Sequence, residues 1–186
     1  MELNSAIKKR KSTRDFKRKK PSFKDILEAI DAAIQGPFAG NINNLKFIII
    51  ESKDSIEDIS NHTGQKWVQN SPALIIVTSN DSHLEDLYGE RGRVYSRQQA
   101  GAAISTLLLR LTDLGLTGSW IGAYSDERIK QSLGIPEKIQ IEAIIPIGYA
   151  QNPKEKKKTK TTIEEATYWE VWERNRRPTI FPDPQR

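Results

Sequence analysis

The segment QQAGAAISTLLLRLTDLGLTGSWIG, residues 98–122, decides how this chain is read. Ala100, Ala102, Ala103, Ile104, Leu107, Leu108, Leu109, Leu111 and Leu114 cover far more of a helix circumference than one core-facing stripe would. Only Ser105, Thr106, Arg110, Thr112 and Asp113 interrupt them, so the helix is expected to be packed on several sides and to form the core. Gly115 ends it. Gly118 and Gly122 then flank Ser119, Trp120 and Ile121, and glycines there let backbone come close to something flat or charged. Arg110 and Asp113 keep the apolar run well short of the roughly 20 residues that span a membrane.

A chain of 186 residues makes one domain, able to bury about 70% of the surface its unfolded form exposes. Without cysteine, a disulfide-built secreted scaffold is excluded, and two histidines argue against a structural zinc site. The N-terminal MELNSAIKKRKSTRDF has no apolar signal core behind its charges, which points to a cytoplasmic protein. The net charge of +5 is concentrated: residues 8–20 hold nine Lys or Arg against Asp15, and residues 154–160 hold five lysines against Glu155. Arg174, Arg176 and Arg177 make a third cluster. Such clusters attract anions. Nucleic acid fits poorly, because zinc-finger spacing, a GXXG loop between core elements and aromatic-laced basic strands are all missing. A phosphate-bearing cofactor accounts for two of the clusters.

Working outward, Glu2 to Lys9 reads as a short helix, followed by Arg10-Lys11-Ser12-Thr13-Arg14, whose guanidinium forks and hydroxyl can converge on one phosphate. Ser22 is placed to cap a helix from Phe23 to Gln35, with Ile26, Ile30, Ala33 and Ile34 as its buried stripe. The loop Gly36 to Asn44 leads to a strand at Lys46 to Glu51. Short helices are expected at Asp54 to Asn61 and Gln65 to Gln69. Ala73 to Thr78, apolar on both faces, predicts a central covered strand. Asp81 to Arg93 reads as a surface loop or ragged helix. Trp120 to Ala123 suggests a short strand or extended loop, and Ser125 to Leu133 a helix capped by Ser125. Gln140 to Tyr149 is expected to lie beside Ala73 to Thr78, with Pro146 demanding an edge, a bulge or an unpaired amide position. Tyr168, Trp169, Val171 and Trp172 predict that the C-terminal segment docks on its own domain or a partner's.

Together these pieces resemble the flavin-dependent nitroreductases. Arg10-Lys11-Ser12-Thr13-Arg14-Asp15-Phe16 looks like that family's arginine-arginine-serine-x-arginine-x-phenylalanine signature. Gly36 to Phe47 is similar to its proline-serine-x-x-asparagine loop, Leu114 to Gly122 to its segment ending in tryptophan-isoleucine-glycine, and Leu133 to Tyr149 to its isoleucine-proline-isoleucine-glycine-tyrosine strand. The resemblance runs over residues 3–165.

It implies an α+β fold, a three-layer α/β/α sandwich with a mixed central sheet, over residues 1–174, with 175–186 as an extended tail along a partner chain. It implies an FMN-dependent oxidoreductase with ping-pong kinetics, taking a hydride from NADH or NADPH and reducing a flat electron-poor acceptor such as a nitroaromatic or quinone. The cofactor carries the electrons, so no side chain needs to serve as nucleophile or base, and His62 and His83 are not placed for either role. By the same resemblance Arg10, Lys11 and Ser12 belong to the phosphate site, and Arg14 to the ribityl chain and pyrimidine edge. Pro37, Phe38, Ala39, Asn41 and Asn43 form the cofactor loop. Trp120, Ile121 and Gly122 lie beside the ring, and Lys158 or Lys160 is a late phosphate ligand. An obligate homodimer with FMN at its interface is implied, the helix from residue 98 serving as dimer core and Trp169 and Trp172 buried by the partner. Phe38 stands in place of the family's serine and Asn44 in place of its proline, departures that bear on acceptor scope. A flavin-binding sensor or storage protein without turnover is the alternative.

Overall fold

The computed structural model describes residues 2–152 and 161–174. Its backbone divides into two compact units, residues 1–153 and 154–186. The first carries a sheet in the order β1-β2-β4-β3, made of β1 Leu45–Ile50, β2 Ala73–Ser79, β3 Thr117–Gly118 and β4 Gln140–Gly148. All named pairs are antiparallel, and the isolated bridge between Ser12 and Gly118 is parallel, which makes the sheet mixed at that edge.

Strand β2 is buried along its whole length, as its two-faced apolar sequence requires. On one face Ala73, Ile75 and Val77 meet Ala143, Ile145 and Ile147 of β4 together with α2 Phe23–Ile34 and α5 Glu90–Asp113. On the other, Leu74 and Ile76 meet Ile144 under α3 Lys53–Thr63 and α6 Asp126–Leu133. The result is a three-layer α/β/α sandwich. Each fully buried Ile or Leu contributes about 1.5–3 kcal/mol by area, enough in this number to hold the fold without a cross-link.

A bulge sets the register of β4. Val77 pairs with Ala143 and Thr78 with Ile141, so Glu142 is the extra residue. Its insertion lets Ile141 and Ala143 fall in opposite core layers although they are two apart in sequence, and it re-aims the Glu142 side chain. Pro146 occupies an interior strand, opposite Leu74. Its carbonyl accepts from the Ser119 N–H at 3.2 Å, so its amide-less nitrogen faces the side where β3 is only two residues long.

Several local expectations change. Of the two readings of Asp81 to Arg93 the helical one holds: Ser82–Tyr88 forms helix α4, and after the break at Gly89 α5 begins at Glu90, eight residues before the quoted segment. Helix α5 tolerates this junction because Gly92 lies where a Cβ would stand 2.2 Å from the Leu84 carbonyl oxygen. Trp120 to Ala123 is the extended loop of the two readings, with Ile121 making a single bridge to Ile144, and the strand β3 lies just before it at Thr117–Gly118. Residues 66–70 form a 3-10 turn. Ser22 caps α2, accepting from the Asp25 N–H at 3.0 Å, but Ser125 makes no side-chain cap at α6 and Ile34 is exposed.

After β3, the Tyr124 hydroxyl donates to the Ile141 carbonyl at 2.7 Å. Burial, helped by the negative charge of Asp126 and opposed by Arg97, pushes its pKa from 10.0 up to about 12. The folded state keeps a proton that the unfolded state would release. The stability so gained is therefore intact below pH 10 and lost as the pH rises through about 12. A phenolate titration of the wild type minus Tyr124→Phe is expected to show one tyrosine ionising near 12. Ionisation at the ordinary value would contradict the burial.

In the second unit, α7 Ile163–Ala166 starts at a capping box in which Thr162 and Glu165 exchange side-chain and backbone hydrogen bonds. Tyr168 and Trp172 meet edge to face with ring centroids 4.8 Å apart.

Candidate functional site

The chain leaves α1 Leu3–Lys9 in an extended conformation and runs beside β3. Three hydroxyls fix it there. Thr13 Oγ1 and Thr117 Oγ1 lie 2.7 Å apart, the Ser119 hydroxyl donates to the Thr13 carbonyl at 2.6 Å, and Thr117 Oγ1 donates to the Lys11 carbonyl at 3.4 Å. Thr13 is thereby buried. Side chains alternate along an extended segment, so Ser12 and Arg14 are exposed and Arg10, at the same spacing, shares their face. Farther on, Phe16 bridges Ala150 and stacks on Trp67 at 6.4 Å, while the Arg14 guanidinium lies 5.9 Å over the same indole. Two guanidinium groups and a hydroxyl on one face of a pinned strand make a donor set suited to a phosphate.

The segment 118–122 adjoins this strand. Gly118 is tightly enclosed, since a Cβ would lie 3.2 Å from both Leu108 and the Pro146 carbonyl, whereas nothing lies within 4 Å of a Cβ on Gly122. The Trp120 ring is 45% exposed and reaches α5 at Gly101. Thus Ser12, Arg14, Trp120, Ile121 and Gly122 are brought together.

The loop expected at the cofactor lies elsewhere. Gly40 and Asn41 adopt φ of +57° and +58°, an uncommon pair of left-handed residues that folds the loop into a tight turn over 39–41. Buried Gln99 holds it. Its Oε1 accepts from the Ala39 N–H at 3.1 Å, and its Nε2 donates to the Ile42 carbonyl at 3.2 Å and to Asn44. Asn43 accepts from the Leu45 N–H at 3.0 Å and so closes the turn into β1. Asn44, expected to influence acceptor scope, faces inward: it is buried and donates to the Ser96 hydroxyl at 2.8 Å and the Asn80 carbonyl at 3.1 Å. Phe38 packs partly into the core of the α2 and α5 layer.

Gln99 and Gly101 are two residues apart on α5, which turns them about 200° from each other around the helix axis. The loop 36–44 and the segment 118–122 therefore flank α5 on opposite sides, and one copy of this unit does not bring them together. Lys158 and Lys160 lie outside the described residues.

A polar network escaped the sequence reading. Ser96 donates to Asp81 at 2.6 Å, and Arg97 binds both Asp81 and Glu142, which Ser79 also contacts. Of these, Asp81, Arg97 and Glu142 border a cavity of about 650 Å³ that also touches Glu85, Arg93 and Lys138. Arg93 is bound to Glu85 and Arg97 is shared by Asp81 and Glu142, and none of the described residues expected at the cofactor borders the cavity. The sequence signal was the polar run Ser96 to Gln99 directly ahead of the apolar stretch that begins at Ala100. His62 makes a 3.6 Å surface pair with Asp58. Among the described residues no cluster suits a metal ion, and no helix is long and apolar enough to cross a membrane.

The architecture is that of a nitroreductase-like α/β/α protein. The chain belongs to the Nitroreductase family, whose model matches residues 7–71 and 61–149. A relative from Methanothermobacter thermautotrophicus, provisionally named an NADH dehydrogenase/NAD(P)H nitroreductase, is 32% identical over 159 residues, 82% of this chain and 80% of its own. A nitroreductase family protein from Clostridium novyi superimposes with a TM-score of 0.75 at 29% identity, covering 94% of this chain and 96% of its own. An FMN-dependent nitroreductase from Clostridium difficile shares the fold, with a TM-score of 0.75 at 23% identity over 90% and 98% of the two chains.

Proposed function

We propose that this protein is an FMN-dependent oxidoreductase that works as a homodimer, with NADH or NADPH as donor and a flat electron-poor compound as acceptor. The observation that carries the reading is the outward face formed by Arg10, Ser12 and Arg14 on a strand locked to β3. Arg10 and Ser12 would hold the phosphate, with Lys11 adding charge. Arg14, steadied over Trp67, would hold the pyrimidine edge. When bound, FMN supplies a ring that accepts a hydride from a nicotinamide and passes electrons to a second substrate. The chain's part is to place that ring, through the backbone of Trp120, Ile121 and Gly122, and to surround it with fixed dipoles.

Two features support the dimer. The loop carrying Pro37, Phe38, Ala39, Asn41 and Asn43 lies across α5 from the Arg10 face, so a second copy is needed to complete a site from both. Leu3, Ile7, Phe23, Leu27, Val94 and Trp120 are also exposed on α1, α2, α5 and the segment after β3, an apolar surface suited to a second copy. Trp169 and Trp172 would be covered in the same assembly.

The test is FMN binding followed by anaerobic addition of NADH or NADPH. A yellow protein that bleaches with donor and recovers with an acceptor supports the reading, and a protein that binds no FMN refutes it. A yellow protein without turnover would instead be a sensor or store. Arg10→Ala removes a charged partner of the phosphate and is expected to weaken FMN binding roughly 10- to 100-fold, measured by fluorescence titration.

A further inference from the structure

We propose that Tyr88, Arg91 and Tyr95 form an acceptor-selecting wall for aromatic acceptors that carry an anionic substituent such as a carboxylate. The proposal rests on the flavin-site reading above, and two of its residues, Tyr88 and Arg91, fall in the stretch that the sequence reads as a surface loop or ragged helix. Gly89, with φ +57° and ψ −143°, breaks the chain between α4 and α5 and returns Tyr88 toward the cofactor loop. A Cβ on Gly40 would lie 2.8 Å from the Tyr88 hydroxyl, so the phenol packs directly against this loop. Gly40 sits between Ala39 and Asn41, both in the proposed cofactor loop. The wall therefore borders that loop directly.

Its chemistry is aromatic and cationic. Tyr88 is 39% exposed and meets Tyr95 edge to face at 5.3 Å and 82°, leaving ring surface open to a flat molecule. The Arg91 guanidinium lies 5.7 Å over the Tyr95 ring, and among the described residues it forms no ion pair. Glu85 is bound to Arg93, while Asp86 and Glu90 are the other acids of this junction. Arg91 also stands in the first turn of α5, where the helix dipole disfavours a cation, so helix stability does not account for it. The same position adds the field of the helix terminus to the guanidinium, and both favour an anion. A neutral ring would meet the tyrosines alone. A carboxylated ring would meet the guanidinium fork as well.

With a nitroarene the two-electron step breaks one N–O bond: the nitro compound, NAD(P)H and a proton give the nitroso compound, NAD(P)+ and water. The experiment uses the full-length protein loaded with FMN and compares nitrobenzene with para-nitrobenzoate, after the NADH half-reaction has been timed separately. The wild type is expected to prefer para-nitrobenzoate in kcat/KM. Arg91→Gln should lower that preference about tenfold through KM, and Arg91→Lys should restore part of it. A preference that Arg91→Gln does not move overturns the proposal. So does a loss that appears already in the NADH step, which would assign Arg91 to the donor. Failure to bind FMN, or to be reduced by either nicotinamide, occurs before any acceptor is added and would overturn the flavin reading itself.

Discussion

Replacing Arg97 with methionine is expected to lower the free energy of unfolding by about 3 kcal/mol, read as a shift of the urea midpoint at unchanged slope. Arg97 is the shared cation of two carboxylates: Asp81, whose side chain is 12% exposed, and Glu142, at 8%. Ser79 approaches both, so the two acids are neighbours in space, and removal of the guanidinium leaves them facing each other with little water. Breaking such a pair from one side costs about 3–5 kcal/mol, because the remaining charge stays buried. The low end applies here because Arg97 is itself 39% exposed and solvent can follow it inward. The interaction ties α5 to the start of α4 and to the bulge of β4, three places distant in sequence. A double variant, Arg97→Met with Glu142→Leu, should recover a good part of the loss, since it removes one of the stranded charges. If the double variant is as unstable as Arg97→Met alone, the arginine acts by packing and the electrostatic account fails.

That network also marks the limit of what the sequence makes legible. Strand β2 could be read because apolar residues on both faces leave no alternative to burial, the part of α5 from Ala100 onward because apolar residues cover most of its circumference, and Ser22 because a cap is a local device. The face shared by Arg10, Ser12 and Arg14 was legible as a motif, and the structure adds the reason for it: Thr13 is drawn inward by Thr117 and Ser119. Glu142 was not legible. A bulge depends on the partner strand, and within QIEAIIPIGY nothing local says that one residue is skipped. Asp81 to Arg93 could be read only as a loop or ragged helix, because nothing local marks Asp81 as the one charge of the stretch that is buried. Asp81 and Ser96 in fact turn inward to satisfy each other, and Gly92 permits α4 to touch α5 where a glycine in isolation only lowers helix propensity. The opposite placement of the cofactor loop and the segment 118–122 around α5 is equally a three-dimensional fact. It turns on the angle between Gln99 and Gly101, which the spacing contains but which acquires meaning only once each residue's neighbour is known.

Gln99→Leu is expected to release the loop 36–44, and its effect follows from counting what the amide satisfies. The Ala39 N–H, the Ile42 carbonyl and the Asn44 side chain each lose a partner. Left buried, such groups cost roughly 1–3 kcal/mol each. The loop has another course open to it, which is to detach and let water replace Gln99. Detachment also relieves Asn41 from its left-handed conformation, worth about 1–2 kcal/mol. The global loss of stability should therefore saturate near 2–3 kcal/mol, below the sum of the unsatisfied groups, while the loop itself opens. Amide exchange at Ala39 and Asn41 should accelerate far more than exchange in β2. Because this loop is proposed to complete the site of a second copy, FMN affinity should fall with it although Gln99 touches no cofactor. Gln99→Glu keeps the acceptor for the Ala39 N–H and loses the donor to the Ile42 carbonyl, so it should fall between the two. Slow exchange at Ala39 in the leucine variant, or undiminished FMN affinity alongside fast exchange, would separate the loop's conformation from the cofactor site and remove Gln99 from its positioning role.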